Sequence, residues 1–340
     1  MNTASVSLST DARDFSLDSP AASAGTAPAR WPVSLLGVPF DNVTIAEALA
    51  RIDAMIAARI PRYVVTANVD FLVQAQHDVE LRRILLEAEL VLCDGTPLLW
   101  ASRWLGNPLP ERVAGSDLAP SLLANAARRG HRVFLLGAGP GIAAEAAARL
   151  QRQYPALNLV GHYAPPFAAL LEMDHAEIAR RVCAAQPDIL LVSFGCPKQE
   201  KWIAMHFRSL GVPVSIGVGA TIDFLAGRVR RAPGWMRRSG TEWLFRLALE
   251  PRRLFRRYAR DIFVFLPTFA TQWSRLARRA PSRSPHRNAA RPSPAPSCFA
   301  LEREFTRRAL EQDRRWASEL DAPSAACVLD GSAVEHIDAT

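Results

Sequence analysis

Residues 188–202 read DILLVSFGCPKQEKW. From Asp188 to Phe194 the run is almost wholly apolar, and Gly195, Cys196 and Pro197 break it. An apolar run of this length bounded by Gly and Pro has the pattern of a parallel-sheet strand buried on both faces. A helix is expected to open directly after it, with Lys198, Gln199 and Glu200 in its first turn. In open α/β sheets ligands bind beyond the carboxyl ends of the strands, and the free amides of a helix N-terminus favour an anion. These three polar side chains therefore read as ligand-facing, or else as the solvated first turn of an ordinary strand-to-helix connection.

The same alternation extends in both directions. Upstream, VSLLGVPF after Trp31 reads as a first strand. Ile45, Leu49, Ile52 and Ile56 recur at helical spacing behind Thr44 as N-cap. RYVVTANVDF is β-branched and ends at Thr66, Asn68 and Asp70. A helix over Val79–Ala88 leads to the strand LVLCDG, ending in Asp94 and Gly95, and a helix over Pro97–Leu105 precedes a polar loop with Arg112, Gly115, Ser116 and Asp117. Then come RVFLLG, the loop Gly137-Ala-Gly-Pro-Gly141, a helix over Ile142–Gln153, LNLVGHY, a helix over His175–Gln186, the opening stretch, and VPVSIGVGATIDF. Strands alternating with helices predict a doubly wound, mostly parallel, Rossmann-like α/β sheet. After Gly227 the character changes: arginines dominate from Arg228 to Arg260, with Trp235, Trp243, Phe245 and Phe255 among them and only Glu242 and Glu250 acidic. The domain plan that follows is a disordered segment over 1–30, an α/β core over 31–227 and a basic amphipathic appendage over 228–275. A Pro/Ser/Arg linker over 276–297 and an extra tail over 298–340 complete it.

Composition narrows the partners. Over 340 residues the apolar fraction is 49% and the charged fraction 22%, ordinary for a globular protein. The net charge of +8 points to an anionic partner such as a nucleotide, a nucleic acid or a lipid headgroup. Five cysteines without a CxxC pair argue for a reducing compartment and against a disulfide or zinc framework. The first thirty residues lack the pattern of a signal peptide, and no segment has the ~18 apolar residues of a spanning helix.

Individual motifs leave alternatives open. Gly137 and Gly139 lie where a glycine-rich turn cradles phosphate, but the pattern is GxGxG and no acidic residue ends the next strand, which weakens a dinucleotide reading. Asp94 closes an apolar strand over the expected cleft and suits a general base; as a helix N-cap it would be equally at home. Thr66 and Asn68 can face the same cleft. The histidines share no metal-ligand spacing, and no metal is expected.

Six segments in order carry more than any one of them: VTANVDF (65–71), CDGTPLLW (93–100), ERVAGSDL (111–118), VSFGCPKQEKW (192–202), GVGATIDFLAGRVRRAP (217–233) and TEWLFRLALEPRRLFRRY (241–258). Together they resemble the WecG/TagA/CpsF glycosyltransferase family over roughly residues 34–268. The resemblance implies inverting, metal-independent and cofactor-free transfer of a hexose (N-acetylmannosamine, its uronic acid, or glucose type). The sugar would pass from a UDP-sugar to a polyprenyl-diphosphate-linked saccharide, in exopolysaccharide or cell-surface glycan synthesis. It further implies Asp94 as base, Thr66 and Asn68 orienting a sugar, Arg112 and Gln199 near the diphosphate, Glu200 beside them, and Asp223 at the nucleotide. Arg246, Arg253 and Arg256 become candidate cations of a closing appendage, which would also hold the enzyme peripherally at the anionic cytoplasmic face of the inner membrane.

The family pattern ends near residue 270, and the tail piece CVLDGSAVEHIDAT looks like part of a STAS domain. Two other function classes compete: an NAD(P)-binding Rossmann-like oxidoreductase using the 137–141 loop, and a basic nucleic-acid-binding protein using the arginine run, for which no nucleic-acid fold motif is present. A second copy of the chain is a further partner that the sequence leaves open.

Overall fold

The computed structural model describes residues 30–279 apart from Arg230, in two units that divide after Trp273. The expected linker beyond 279 and the STAS-like tail lie outside the described residues, as do 1–29.

The strand expected over VSLLGVPF is a hairpin instead. β1 (Val33–Leu35) and β2 (Val38–Phe40) pair antiparallel, apart from the main sheet, with Leu35 opposite Val38. Both turn residues have positive φ, Leu36 at 50° and Gly37 at 82°, the type I′ geometry whose twist matches the strands. Asp41 then ties the hairpin to the main sheet. Its amide donates to Val91 O at 2.9 Å, and its carboxylate accepts from Val91 N at 2.8 Å.

The main sheet has six parallel strands: β3 (Arg62–Ala67), β4 (Leu90–Cys93), β5 (Arg132–Gly137), β6 (Asn158–Tyr163), β7 (Ile189–Ser193) and β8 (Val214–Gly217). Their order is β4-β3-β8-β7-β5-β6. Successive side chains go to opposite cores: Leu190 and Val192 to one, Ile189 and Leu191 to the other. This is why these strands read as unbroken apolar runs, without the alternation of a half-exposed sheet. The helices between them are α1 (Ile45–Ala58), α2 (Val69–Gln74), α3 (Val79–Glu87), α4 (Thr96–Trp104), α5 (Gly115–Arg129), α6 (Ile142–Gln153), α7 (His175–Ala185), α8 (Lys198–Leu210) and α9 (Thr221–Ala226). Thr44 caps α1 in a capping box with Glu47.

Three local expectations are corrected. Val69-Asp-Phe continues as α2, because Asn68 accepts a hydrogen bond from Asp70 N at 3.0 Å and so starts a helix where a strand was expected to end. The polar loop stops at Gly115, where α5 begins. The stretch ending in GATIDF is a short strand, a glycine turn and then α9.

The basic segment forms α10 (Gly234–Arg238), α11 (Glu242–Leu249) and α12 (Pro251–Arg279). α12 runs unbroken through Pro267 and into the stretch expected to be linker. Phe265 and Phe269 of α12 are buried in the same core as the hairpin. Gln272 bridges that hairpin, accepting from Leu36 N at 2.9 Å and donating to Ser34 O at 2.8 Å.

Gly217, at the end of β8, has no room for a side chain: a Cβ there would lie 2.8 Å from both Gln199 Nε2 and Glu200 Oε1. Gly217→Ala is therefore expected to destabilise the protein by about 1–3 kcal/mol through overpacking, read as a lower urea midpoint at unchanged m. A midpoint equal to wild type would mean that this contact is not constraining.

Candidate active site

Parallel strands bring all their carboxyl ends to one edge of the sheet, and the candidate site is built there. The β4 end carries Asp94, whose amide donates to Ala67 O of neighbouring β3 at 2.8 Å. The N-cap of α4 is Gly95, not Asp94, so the capping role open to Asp94 in the sequence is not the one it takes. Among the described residues no hydrogen bond reaches the Asp94 carboxylate. Burial pushes its pKa up to about 7, against the pull of Arg246 and Arg112 and with help from Glu242 and Asp117.

Arg112 reaches Asp94 through backbone pairing: Val113 N donates to Cys93 O at 2.8 Å, extending the ladder past β4. From there the charges form a chain of alternating sign. Arg246 donates to Glu242 at 2.8 Å, and Arg112 donates to Glu242 at 3.0 Å and to Asp117 at 2.5 Å. Arg231 donates to Asp117, also at 2.5 Å. Glu242 is buried. Burial alone would raise its carboxyl, yet Arg246 and Arg112 hold it below the usual carboxylate range. The appendage is thus docked over the β4 end, and Gly240 at its turn packs against Thr96 of α4.

The other expected residues divide into two sets. Asn68 and Thr66 do come to this edge. A Cβ on Gly95 would sit 3.7 Å from Asn68 Cβ, and one on Gly115 would sit 3.2 Å from Thr66 Oγ1. Both side chains have structural partners, Asn68 as the α2 N-cap and Thr66 donating to Gly217 O at 3.2 Å.

The side chains of Lys198, Gln199 and Glu200 all have hydrogen-bond partners within the protein. Lys198 Nζ donates to Ala168 O at 2.5 Å. Gln199 and Glu200 are buried: Gln199 accepts from Gly219 N at 3.1 Å and donates to Glu200 Oε1 at 2.6 Å. The side-chain-free Gly217 creates the space they fill. Burial pushes Glu200 up to about 8, leaving it largely protonated at neutral pH.

Gly137 is required by packing: a Cβ would meet Ser193 O at 2.4 Å. A Cβ on Gly139 would touch only Ile142 at 3.0 Å. Asp223 is half-buried on α9, its carboxyl raised by burial. Arg256 is exposed on α12, and the Arg253 side chain lies outside what the structure describes.

Sequence reasoning missed Glu242 and the bridging role of Asp117. The available signal was a lone acid followed four residues later by an arginine inside a basic run.

The chain matches the model of the Glycosyl transferase WecG/TagA/CpsF family over residues 33–279. It is 30% identical over 235 residues to the N-acetylglucosaminyldiphosphoundecaprenol N-acetyl-beta-D-mannosaminyltransferases of three Staphylococcus aureus strains, NCTC 8325 / PS 47, COL and MRSA252, covering 68% of this chain and 91% of each relative. Neither the oxidoreductase nor the nucleic-acid reading finds support in these matches. The Rossmann-like sheet, the carboxylate at the end of β4 and the docked arginine-rich helices belong to a glycosyltransferase, and the chain is a member of the WecG/TagA/CpsF family.

Proposed function

We propose that this glycosyltransferase moves N-acetylmannosamine, or a closely related hexose, from a UDP-sugar to a saccharide carried on polyprenyl diphosphate. The observation that carries the chemistry is Asp94, a carboxylate without a hydrogen-bond partner among the described residues, at a strand end, with a pKa near 7. Such a group is matched to accepting a proton at neutral pH. The names of the relatives support the choice of sugar and acceptor.

In this reading the acceptor hydroxyl attacks the anomeric carbon as Asp94 takes its proton. The bond from that carbon to the UDP oxygen breaks on the opposite face, with inversion. The departing diphosphate carries the electron pair away, and Arg112 and Arg246 offset its charge. The incoming diphosphate competes with Glu242 and Asp117 for these guanidiniums, so the alternating chain keeps the cations in place until donor arrives. Fixed arginines can neutralise a leaving diphosphate without a metal ion, which supports metal-independent transfer. Thr66 and Asn68 line the acceptor side. Gln199 acts from behind through the Gly219 amide, and Asp223 is held for the nucleotide. The exposed basic residues of α12, Arg256 among them, favour peripheral attachment at an anionic leaflet where a lipid-linked acceptor resides. No helix of the described residues is long and apolar enough to cross a membrane.

Incubation with a panel of UDP-hexoses and a polyprenyl-diphosphate-GlcNAc acceptor tests the reading. Transfer from the N-acetylmannosamine donor is expected, and absence of UDP binding would overturn it. Asp94→Asn should lower kcat by about 10²–10⁴-fold while UDP affinity and thermal stability hold, since a buried charge is removed. Wild-type kcat/KM should rise with pH through about 7 and level off above it. The base must be deprotonated, so a profile flat from pH 5.5 to 8.5 would exclude Asp94.

Glu242→Gln leaves two arginines without their buried partner and should cost about 3 kcal/mol of appendage docking. Limited proteolysis cutting faster between 228 and 250 in the variant would report it. The native ion pair stabilises docking above the usual carboxylate range and is lost as pH falls through the depressed Glu242 pKa.

A further inference from the structure

The core helix α4 begins two residues after Asp94 and carries two large apolar side chains in water: Trp100 is 53% exposed and Trp104 70%. Four residues apart, they share one face. The Trp104 ring lies 6.3 Å from that of Phe269 on α12. At 3.6 residues per turn, Phe255, Ile262, Leu266 and Trp273 form a narrow stripe beside Phe269, and all four are exposed, as is neighbouring Phe263 at 79%. Phe269 itself is buried with Leu254 and Phe265, so α4 and α12 meet at the edge of the buried face of α12, with the exposed stripe next to it. Two helices remote in sequence thus set exposed apolar side chains on either side of one contact, where ordinary surfaces expose them singly. The borders of this surface are cationic: Arg103 beside Trp104, and Arg252 and Arg256 along the stripe, are exposed. Aromatics flanked by arginine suit the headgroup boundary of an anionic bilayer.

We propose that Trp100 and Trp104, joined to the α12 stripe, form a docking face for an anionic lipid bilayer, which brings the Asp94 end of α4 to the headgroup layer. Thr96 and Trp104 are only about 12 Å apart along the helix axis, so a carboxylate at one end and inserted indoles at the other span a headgroup-sized distance. The inference rests on the lipid-linked acceptor of the proposed function. It adds a membrane contact made by the catalytic core itself, not by the appendage alone.

The test uses the full chain with vesicles of phosphatidylglycerol and phosphatidylcholine, and with phosphatidylcholine alone. Wild type should co-sediment with the anionic vesicles. Trp100→Ser/Trp104→Ser should weaken that partitioning at least about tenfold while keeping wild-type thermal stability and transfer to a short-chain, water-soluble acceptor. Trp100→Phe/Trp104→Phe should retain most binding, and Leu171→Ser, at an exposed apolar residue on another element, should change nothing. Serine variants that bind as wild type would overturn the proposal and leave appendage-driven attachment intact. A wild type that ignores anionic vesicles would overturn both. Indoles shielded from iodide in a vesicle-free dimer would assign the face to a second copy instead, and so overturn it.

Discussion

A six-stranded parallel sheet buried on both faces imposes one constraint from which the remaining architecture follows. Every crossover returns the chain over a face, so helices must cover both sides, and every strand ends at the same edge. Backbone groups beyond those ends need partners. Here Asp94 N pairs with Ala67 O, Val113 N with Cys93 O and Val218 N with Val192 O, prolonging the ladders into loops. The edge that carries the candidate site is therefore a continuation of the sheet.

Onto that edge the appendage brings charge. Buried acid between two arginines is expensive to desolvate and strongly destabilising to break, so such a chain specifies one docked arrangement more than it adds stability. A second acidic contact works in the same way further along: Arg260 of α12 pairs with Asp70 of α2 and with Asp261 at 3.2 Å. Burial and the neighbouring Asp70 push the Asp261 carboxyl up to about 6. Pairs of this kind, acid on the core against arginine on the appendage or the reverse, recur along α11 and α12.

Much of the core was legible because periodicity reports burial directly. Two-sided strands appear as apolar runs, as in LVLC and ILLVS, and helical spacing from Ile45 marks α1. The hairpin was not legible because VSLLGVPF has the apolarity of a single strand; its turn depends on positive φ at Leu36, a residue that rarely takes it. α5 was obscured by a polar opening and by Pro120 inside it. In the site, Asp94 stood out as a lone charge ending an apolar strand. The burial of Gln199 and Glu200 was not legible because a polar helix start usually faces solvent, and only the missing side chain of Gly217 lets both turn inward.

The sequence by itself determined the fold class, the family through six ordered segments, and the carboxylate at the end of its strand, because each is written in local pattern. Tertiary structure alone decided which arginines meet which acids, that Glu242 joins appendage to core, that Gln199 turns inward to accept from the Gly219 amide, and that Trp104 and Phe269 lie side by side across 165 positions of chain. Those facts depend on distances between elements remote in sequence, and such distances are set by packing after the local patterns have been satisfied.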